Sequence, residues 1–196
     1  MKKQGSLTVQ RICVFAGVGL LLVALITLAV WQYSVNTALK KSQNYVQLLQ
    51  ELMPQSQNAA LEERRDNTMS SLSIEGIDFV GVIDIPRYSS TLPVCADWGE
   101  TSKYPCRFDG SIYNRTLQIG ATSQKGQYDF YREISVGDKV YFTDMEGNRY
   151  ALEVIDLKYE KHIDQTALRR TDSAMTLFIK NLYDFEYLVV YCDVVS

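Results

Sequence analysis

The hydrophobic and polar positions divide the chain into a helical N-terminal part and a strand-rich remainder. The uncharged run Ile12–Trp31 is long enough, at about 1.5 Å per helical residue, to cross a hydrocarbon core of roughly 30 Å. Apolar residues then recur at helical spacing over 34–53, which predicts an amphipathic helix that ends at Pro54. From Ile77 onward the apolar positions come in short runs that are typical of strands.

The strand-like runs number seven or eight, and turn residues separate them. The clearest are Phe79–Ile85, Thr91–Val94, Thr116–Ile119, Lys139–Thr143, Arg149–Tyr159, Met175–Ile179 and Tyr187–Val195. Met145–Asn148 makes the turn of a hairpin, and one brief helical turn is expected near Tyr128–Ile134. This pattern predicts a mainly β fold, a closed or nearly closed β-barrel.

These elements predict four parts of the chain: residues 1–11, a transmembrane helix at 12–33, an amphipathic helix and linker at 34–73, and the barrel at 74–196. The stretch 54–73 is polar, with helical potential only around Ala59–Arg65, and is interpreted as a linker or stalk.

Charges around the apolar run predict its orientation in a membrane. Lys2, Lys3 and Arg11 precede it, so the positive-inside tendency predicts a cytoplasmic N-terminus and an extracytoplasmic barrel. A cleaved signal peptide is the alternative. Its only small-residue cleavage site, Thr27–Ala29, lies inside the apolar run, which favours an uncleaved single-pass anchor.

Composition narrows the classes of partner. Residues 1–69 carry seven Lys/Arg and four Asp/Glu, a net charge of +3; residues 70–196 carry thirteen and nineteen, a net charge of −6. An acidic folded part repels phosphates, so nucleic-acid binding is not expected. One histidine and the absence of closely spaced cysteines predict no metal site, and no cofactor motif is present.

Four short motifs follow one another along the strand-rich part of the chain: Ile83-x-Ile85-Pro86, Leu92-Pro93-Val94, Gly137-Asp138 and Thr176-Leu177. Their order resembles that of the sortases, the membrane-anchored cysteine transpeptidases of bacterial cell surfaces. The resemblance spans about residues 77–195 and implies a sortase-like β-barrel.

The resemblance also implies where catalytic groups should lie. A sortase uses a cysteine nucleophile, a histidine and an arginine. In this sequence the cysteine position holds Lys180, the histidine position Ala121 or Thr122, and the arginine position Tyr187 or Glu186. None of these can supply a thiolate, an imidazole or a guanidinium. The sequence therefore predicts no catalytic residues and a degenerate member of the family.

Three residues are candidates to replace the missing chemistry. His162 stands among charged residues after a long strand, which is typical of a solvated histidine rather than a general base. Cys192 lies within the last apolar strand, where burial makes a thiol a poor nucleophile. Lys180 is expected to be solvated or salt-bridged, since Asn181, Asp184 and Glu186 are close in sequence.

Cys95 and Cys106 flank a polar loop in a compartment that would permit oxidation. A disulfide between them is the first expectation, and two free thiols are the alternative.

Three functions remain open. The favoured one is a catalytically inactive, sortase-like membrane protein that binds a surface-protein segment or an assembly partner. The second is an active transpeptidase whose site is atypical or relocated. The third is a structural scaffold that shares only the barrel. The sequence leaves the identity of the partner and the oligomeric state open.

Overall fold

The computed structural model of this chain describes residues 4–59, 68–101, 103–164 and 168–195. The helical potential around Ala59–Arg65 falls almost entirely outside these residues. The chain divides into two compact units, one ending at Ala38 and the other beginning at Leu39.

A single helix, α1 (Gln4–Leu52), takes up the N-terminal part. It joins the predicted transmembrane and amphipathic segments without a break. The helix is long and apolar enough to span a membrane, by length and composition. Its apolar side chains are exposed from Val14 to Tyr33 in the first unit, whereas Tyr45, Val46 and Leu49 are buried in the second.

Within the described residues, the second unit contains ten strands. They are β1 (Gln57–Asn58), β2 (Leu72–Ile74), β3 (Ile77–Ile85), β4 (Ser90–Cys95), β5 (Cys106–Asp109), β6 (Leu117–Thr122), β7 (Lys139–Asp144), β8 (Asn148–Glu160), β9 (Met175–Lys180) and β10 (Tyr187–Val194). The predicted helical turn is a one-turn 3-10 helix at Tyr131–Glu133.

Eight of these strands close into a barrel, because each pairs with a neighbour on both sides. The order around the ring is β3-β4-β5-β6-β9-β10-β8-β7, and β7 pairs again with β3. The β4–β5 and β6–β9 pairs are parallel, and the other pairs in the ring are antiparallel. The predicted mainly β, closed barrel is confirmed.

Part of the predicted linker differs from expectation. Gln57 and Asn58 form β1, which pairs in parallel with the first two residues of β8, and Leu72–Ile74 pairs with β3. The sequence pattern missed β1 because it has no apolar residue, and it missed β2 because the alternation Leu72-Ser73-Ile74 is only three residues long. Their backbone groups nevertheless find ladder partners on the barrel.

Alternating residues fill the barrel interior with one apolar core, which includes Ile83, Phe142, Leu152 and Leu177. Two smaller clusters lie outside this core. The helix-covered cluster comprises Tyr45, Val46, Leu49, Phe79, Val82, Cys95, Tyr104, Cys106 and Met145. The loop-covered cluster comprises Leu168, Phe178, Val189 and Tyr191.

Candidate functional site

Three neighbouring strands end together and bring the predicted site positions into one row. Thr122 at the end of β6 is the register partner of Lys180 at the end of β9. Lys180 is in turn the register partner of Tyr187 at the start of β10. Residues in register on adjacent strands point to the same side of a sheet. Thr122, Lys180 and Tyr187 therefore share one surface at this end of the barrel.

Ala121 belongs to the other side of the sheet. It pairs with Ile179, which pairs with Leu188, and all three are buried in the barrel core. Of the two residues proposed for the histidine position, only Thr122 lies on the face of Lys180. The pleat of the strand thus puts Ala121 and Thr122 on opposite faces of the sheet.

Backbone and hydroxyl hydrogen bonds fix the end of β6 against the neighbouring strands. The Thr122 N–H donates to Gln127 Oε1 at 2.9 Å, and the Ser123 N–H donates to the Lys180 carbonyl at 3.0 Å. Ser123 Oγ accepts from the Leu182 N–H at 3.2 Å. The Thr122 hydroxyl itself has no hydrogen-bond partner among the described residues. This end of the sheet is therefore held rigidly, with one free hydroxyl beside Lys180.

Lys180 makes no ion pair within the part of the chain that the structure describes. Its Nζ lies 6.0 Å from the centre of the Phe185 ring. The nearby polar residues that were expected to pair with it serve the β9–β10 turn instead. Asn181 Oδ1 accepts from the Tyr183 N–H, and Asp184 Oδ1 accepts from the Glu186 N–H. Glu186, the alternative arginine position, therefore belongs to the turn.

The turn itself is unusually apolar at the surface. Leu182, Tyr183 and Phe185 are all exposed, and Phe185 has a positive φ of 60°. A left-handed conformation is strained for a bulky residue. Asn181 and Asp184 bond to nearby backbone in the way that such residues stabilise turns.

A relocated active site finds no support in the positions of the thiols and the histidine. Cys192 is fully buried in the barrel core, and burial raises its pKa to about 12. It pairs with Val154, six residues before the end of β8, whereas His162 follows that end in an exposed loop. At about 3.3 Å per strand residue the imidazole lies roughly 20 Å away along the strand.

Cys95 and Cys106 are register partners on the parallel strands β4 and β5. Both are fully buried in the helix-covered cluster, and both are free thiols in the structure. A hydrogen bond with Cys106, together with burial, raises the pKa of Cys95. The adjacent positions are compatible with the predicted disulfide, which stays a prediction. Neither thiol lies at the row of Lys180.

An aromatic group next to that row was not predicted. Trp98, on a 3-10 turn between β4 and β5, packs against Phe108 and Phe178 with ring centres 4.9 and 5.6 Å apart. The Trp98 ring lies directly over Gly120, where an added Cβ would come within 2.3 Å of it. Gly120 in the middle of a strand pattern was the available signal, because such a glycine often marks a close approach.

Comparisons with known proteins can be set beside this geometry. No protein-family model matches the chain, and no curated protein matches it. Sortase A from Corynebacterium diphtheriae superposes with a TM-score of 0.52 at 15% identity, over 83% of this chain and 84% of that one. A sortase D5 transpeptidase from Clostridium perfringens superposes with a TM-score of 0.53 at 12% identity, over 66% and 83%.

The barrel has a sortase-like fold. A third solved structure, sortase C from Clostridium perfringens with the C-terminal cell wall sorting motif, gives a TM-score of 0.51 at 18% identity over 61% of this chain and 71% of that chain. Structural similarity at sequence identities this low shows a shared fold, and a shared fold does not by itself imply a shared activity.

Proposed function

We propose that this chain is a catalytically inactive, sortase-like membrane protein whose barrel binds a segment of a surface protein or an assembly partner. The row Thr122–Lys180–Tyr187 carries the proposal. It stands where the sequence resemblance puts the histidine, cysteine and arginine of a sortase, and its members can supply neither a thiolate nor an imidazole. Acyl transfer by the family's route needs both groups.

The surface beside the row favours binding over a purely structural role. Trp98 and Phe108 are each about two-fifths exposed on the outside of the barrel. Aromatic side chains at such positions supply contact area at small cost in conformational entropy. The sortase C that was solved with a sorting motif has the same architecture. An extended apolar segment that crosses the aromatic group towards Lys180 is the ligand that this surface suits.

The test uses the full chain in nanodiscs and a fluorescein-labelled sorting-signal peptide. We expect saturable binding by anisotropy, with neither hydrolysis nor a covalent adduct by mass spectrometry. Cleavage that disappears in Cys192→Ala or His162→Ala would overturn the proposal in favour of a relocated site. Absence of both binding and cleavage would favour the scaffold.

A gain-of-function variant tests the assignment of the row. Lys180→Cys combined with Thr122→His and Tyr187→Arg should form an acyl adduct with the peptide, because it restores the three groups in register. Lys180→Cys alone is the matched control, and we expect little or no adduct because no imidazole is near the new thiol. An inert triple variant that still folds would contradict the assignment of these positions.

The proposed topology has a separate test. The uncharged Ile12–Trp31 run, with its preceding basic residues, predicts that residues 34–196 lie outside the cytoplasm. Protease added to spheroplasts should therefore digest the barrel while the membrane is intact. Protection of the barrel until lysis would contradict this orientation.

A further inference from the structure

A second cavity lies at the other end of the same strands, away from the row. It is a groove of about 360 Å³ where β6 and β9 begin, and residues 168–174 form its outer wall. Small-molecule sites usually span roughly 300–1,000 Å³, so the groove is large enough for a compact ligand. Met175 and Lys180 are at opposite ends of β9, about 17 Å apart at the usual strand rise. The groove is therefore distinct from the Lys180 row.

Gln118 gives the groove an unsatisfied polar group. Its side chain lines the groove, it is only 2% exposed, and its Oε1 has no hydrogen-bond partner among the described residues. A buried acceptor without a partner costs free energy, which a ligand could recover by donating an N–H or O–H. The neighbouring Thr176 hydroxyl is already used, because it donates to the Leu168 carbonyl at 3.0 Å.

The charges around the groove favour a neutral ligand. Three arginines line the groove. Each forms an ion pair with at least one carboxylate whose residue does not line the groove. The pairs are Arg115 with Asp193, Arg169 with Asp109, and Arg170 with both Asp156 and Asp172. Four carboxylates therefore balance three guanidinium groups, and a free anion gains little there. The remaining guanidinium N–H groups can still donate to the oxygens of a neutral ligand.

The rest of the wall is apolar. Leu117, Leu168, Ala174 and Met175 line the groove beside the polar groups. A ligand that fits therefore combines oxygens that accept hydrogen bonds, one N–H or O–H donor and a small apolar group.

We propose that this groove binds a neutral N-acetylated amino sugar. The acetamide N–H donates to Gln118 Oε1, the ring hydroxyls accept from the arginines, and the acetyl methyl packs on the apolar wall. A peptide cannot bind here by adding a further strand, because β6 and β9 are paired on both sides and offer no open edge. The ligand must be held by side chains, which suits a saccharide with a polar group on nearly every carbon.

The experiment titrates the full chain in nanodiscs with N,N′-diacetylchitobiose and follows ligand-observed saturation-transfer NMR and calorimetry. Cellobiose, which lacks the acetamides, is the matched ligand. We expect saturable binding of diacetylchitobiose and about tenfold weaker binding of cellobiose, because the 2-hydroxyl of cellobiose can still donate a hydrogen bond but cellobiose lacks the acetyl methyl that packs on the apolar wall. Equal binding of both sugars, or no binding of diacetylchitobiose, would overturn the proposal.

Variants locate the site. Gln118→Met keeps the volume of the side chain and removes the acceptor, and Arg169→Ala removes a half-exposed donor without touching the core. Both should weaken diacetylchitobiose binding about tenfold, whereas Arg87→Ala should not change it. Arg87 is the matched control because it is equally exposed and is also paired with an aspartate. If Gln118→Met does not fold, the binding of diacetylchitobiose to Arg169→Ala alone tests the proposal. Unchanged binding in Arg169→Ala, or tighter binding of an unrelated peptide at this groove, would contradict the assignment.

Discussion

Two outer faces of the barrel are covered in different ways. Over β3, β4 and β5 the C-terminal part of α1 buries Tyr45 and Leu49 against Phe79 and Tyr104, so that nearly all of these side chains are inaccessible. Over β5, β6 and β9 the cover consists of loops, and Trp98 and Phe108 remain two-fifths exposed. The first face is sealed by a helix, whereas the second is left partly open.

The polar groups follow the same division. On the helix-covered face the Tyr45 hydroxyl donates to Glu75 at 2.6 Å, and burial with this bond raises the pKa of Tyr45. On the loop-covered face Gln118 Oε1 and Thr122 Oγ1 lack partners among the described residues, as does Tyr128 Oη in the barrel core. Buried polar groups are normally satisfied, so the two unsatisfied groups on the loop-covered face support the proposed binding there. One face stabilises the fold, and the other holds both proposed sites.

The largest expected effect tests the structural role of the helix-covered face. Leu49 is fully buried on α1, and Leu49→Ala should lower the free energy of unfolding by about 2–5 kcal/mol through lost burial and a cavity. Leu52→Ala on the same helix is the matched control. Leu52 is 62% exposed, and its truncation should change stability by less than about 0.5 kcal/mol. Chemical denaturation of the detergent-solubilised chain measures both; equal effects would remove the distinction between the faces.

The next effect concerns the two cysteines of the helix-covered face. We expect Cys95 and Cys106 to be bridged in the exported protein, because they are adjacent in register and both buried. Cys95→Ser should then lower stability by about 2–4 kcal/mol, less if the short loop strains the bridge. Mass mapping of non-reduced peptides detects the linked pair. Alkylation of both thiols in denaturant without a reductant would refute the bridge.

The smallest effect is a pH dependence of the ion pairs on the loop-covered face. The Gly110 N–H and Arg169 lower the pKa of Asp109, and the hydrogen bond from Arg170 lowers the pKa of Asp156. A carboxylate with a depressed folded-state pKa stabilises the fold above its unfolded value near 4 and loses that contribution as the pH falls through the folded value. The Arg169–Asp109 and Arg170–Asp156 pairs are both partly exposed, so their contribution to stability is modest.

Hydrogen exchange measures this acid effect segment by segment. After correction for intrinsic rates, residues 168–174 should lose protection between about pH 5 and pH 3, while residues 45–49 should not. Asp156→Asn should reproduce part of the loss at pH 5, because it removes one of the two carboxylates that pair with Arg170. Equal loss of protection in both segments would show global acid unfolding instead.

The sequence was sufficient for the architecture because long apolar runs and strand periodicity are local signals. The runs that begin at Met175 and Tyr187 marked β9 and β10 within one residue of their ends. The same reasoning missed β1, β2 and β5, which are short and whose pairing depends on neighbours distant in sequence. Residue order also could not decide between Ala121 and Thr122, because a one-residue shift moves a side chain to the other face.

By itself, then, the sequence determined the apolar helix, the sortase-like order of motifs along the chain and the residue types Thr122, Lys180 and Tyr187. Only the tertiary structure decided that these three residues share a row, because strand register depends on hydrogen bonds between segments that are distant in sequence. Thr122 and Lys180, for example, are 58 residues apart along the chain. The tertiary structure alone put Trp98 over Gly120 and left Gln118 Oε1 without a partner in a groove. Such features arise from close packing between distant segments, which no local pattern of hydrophobic and polar residues encodes.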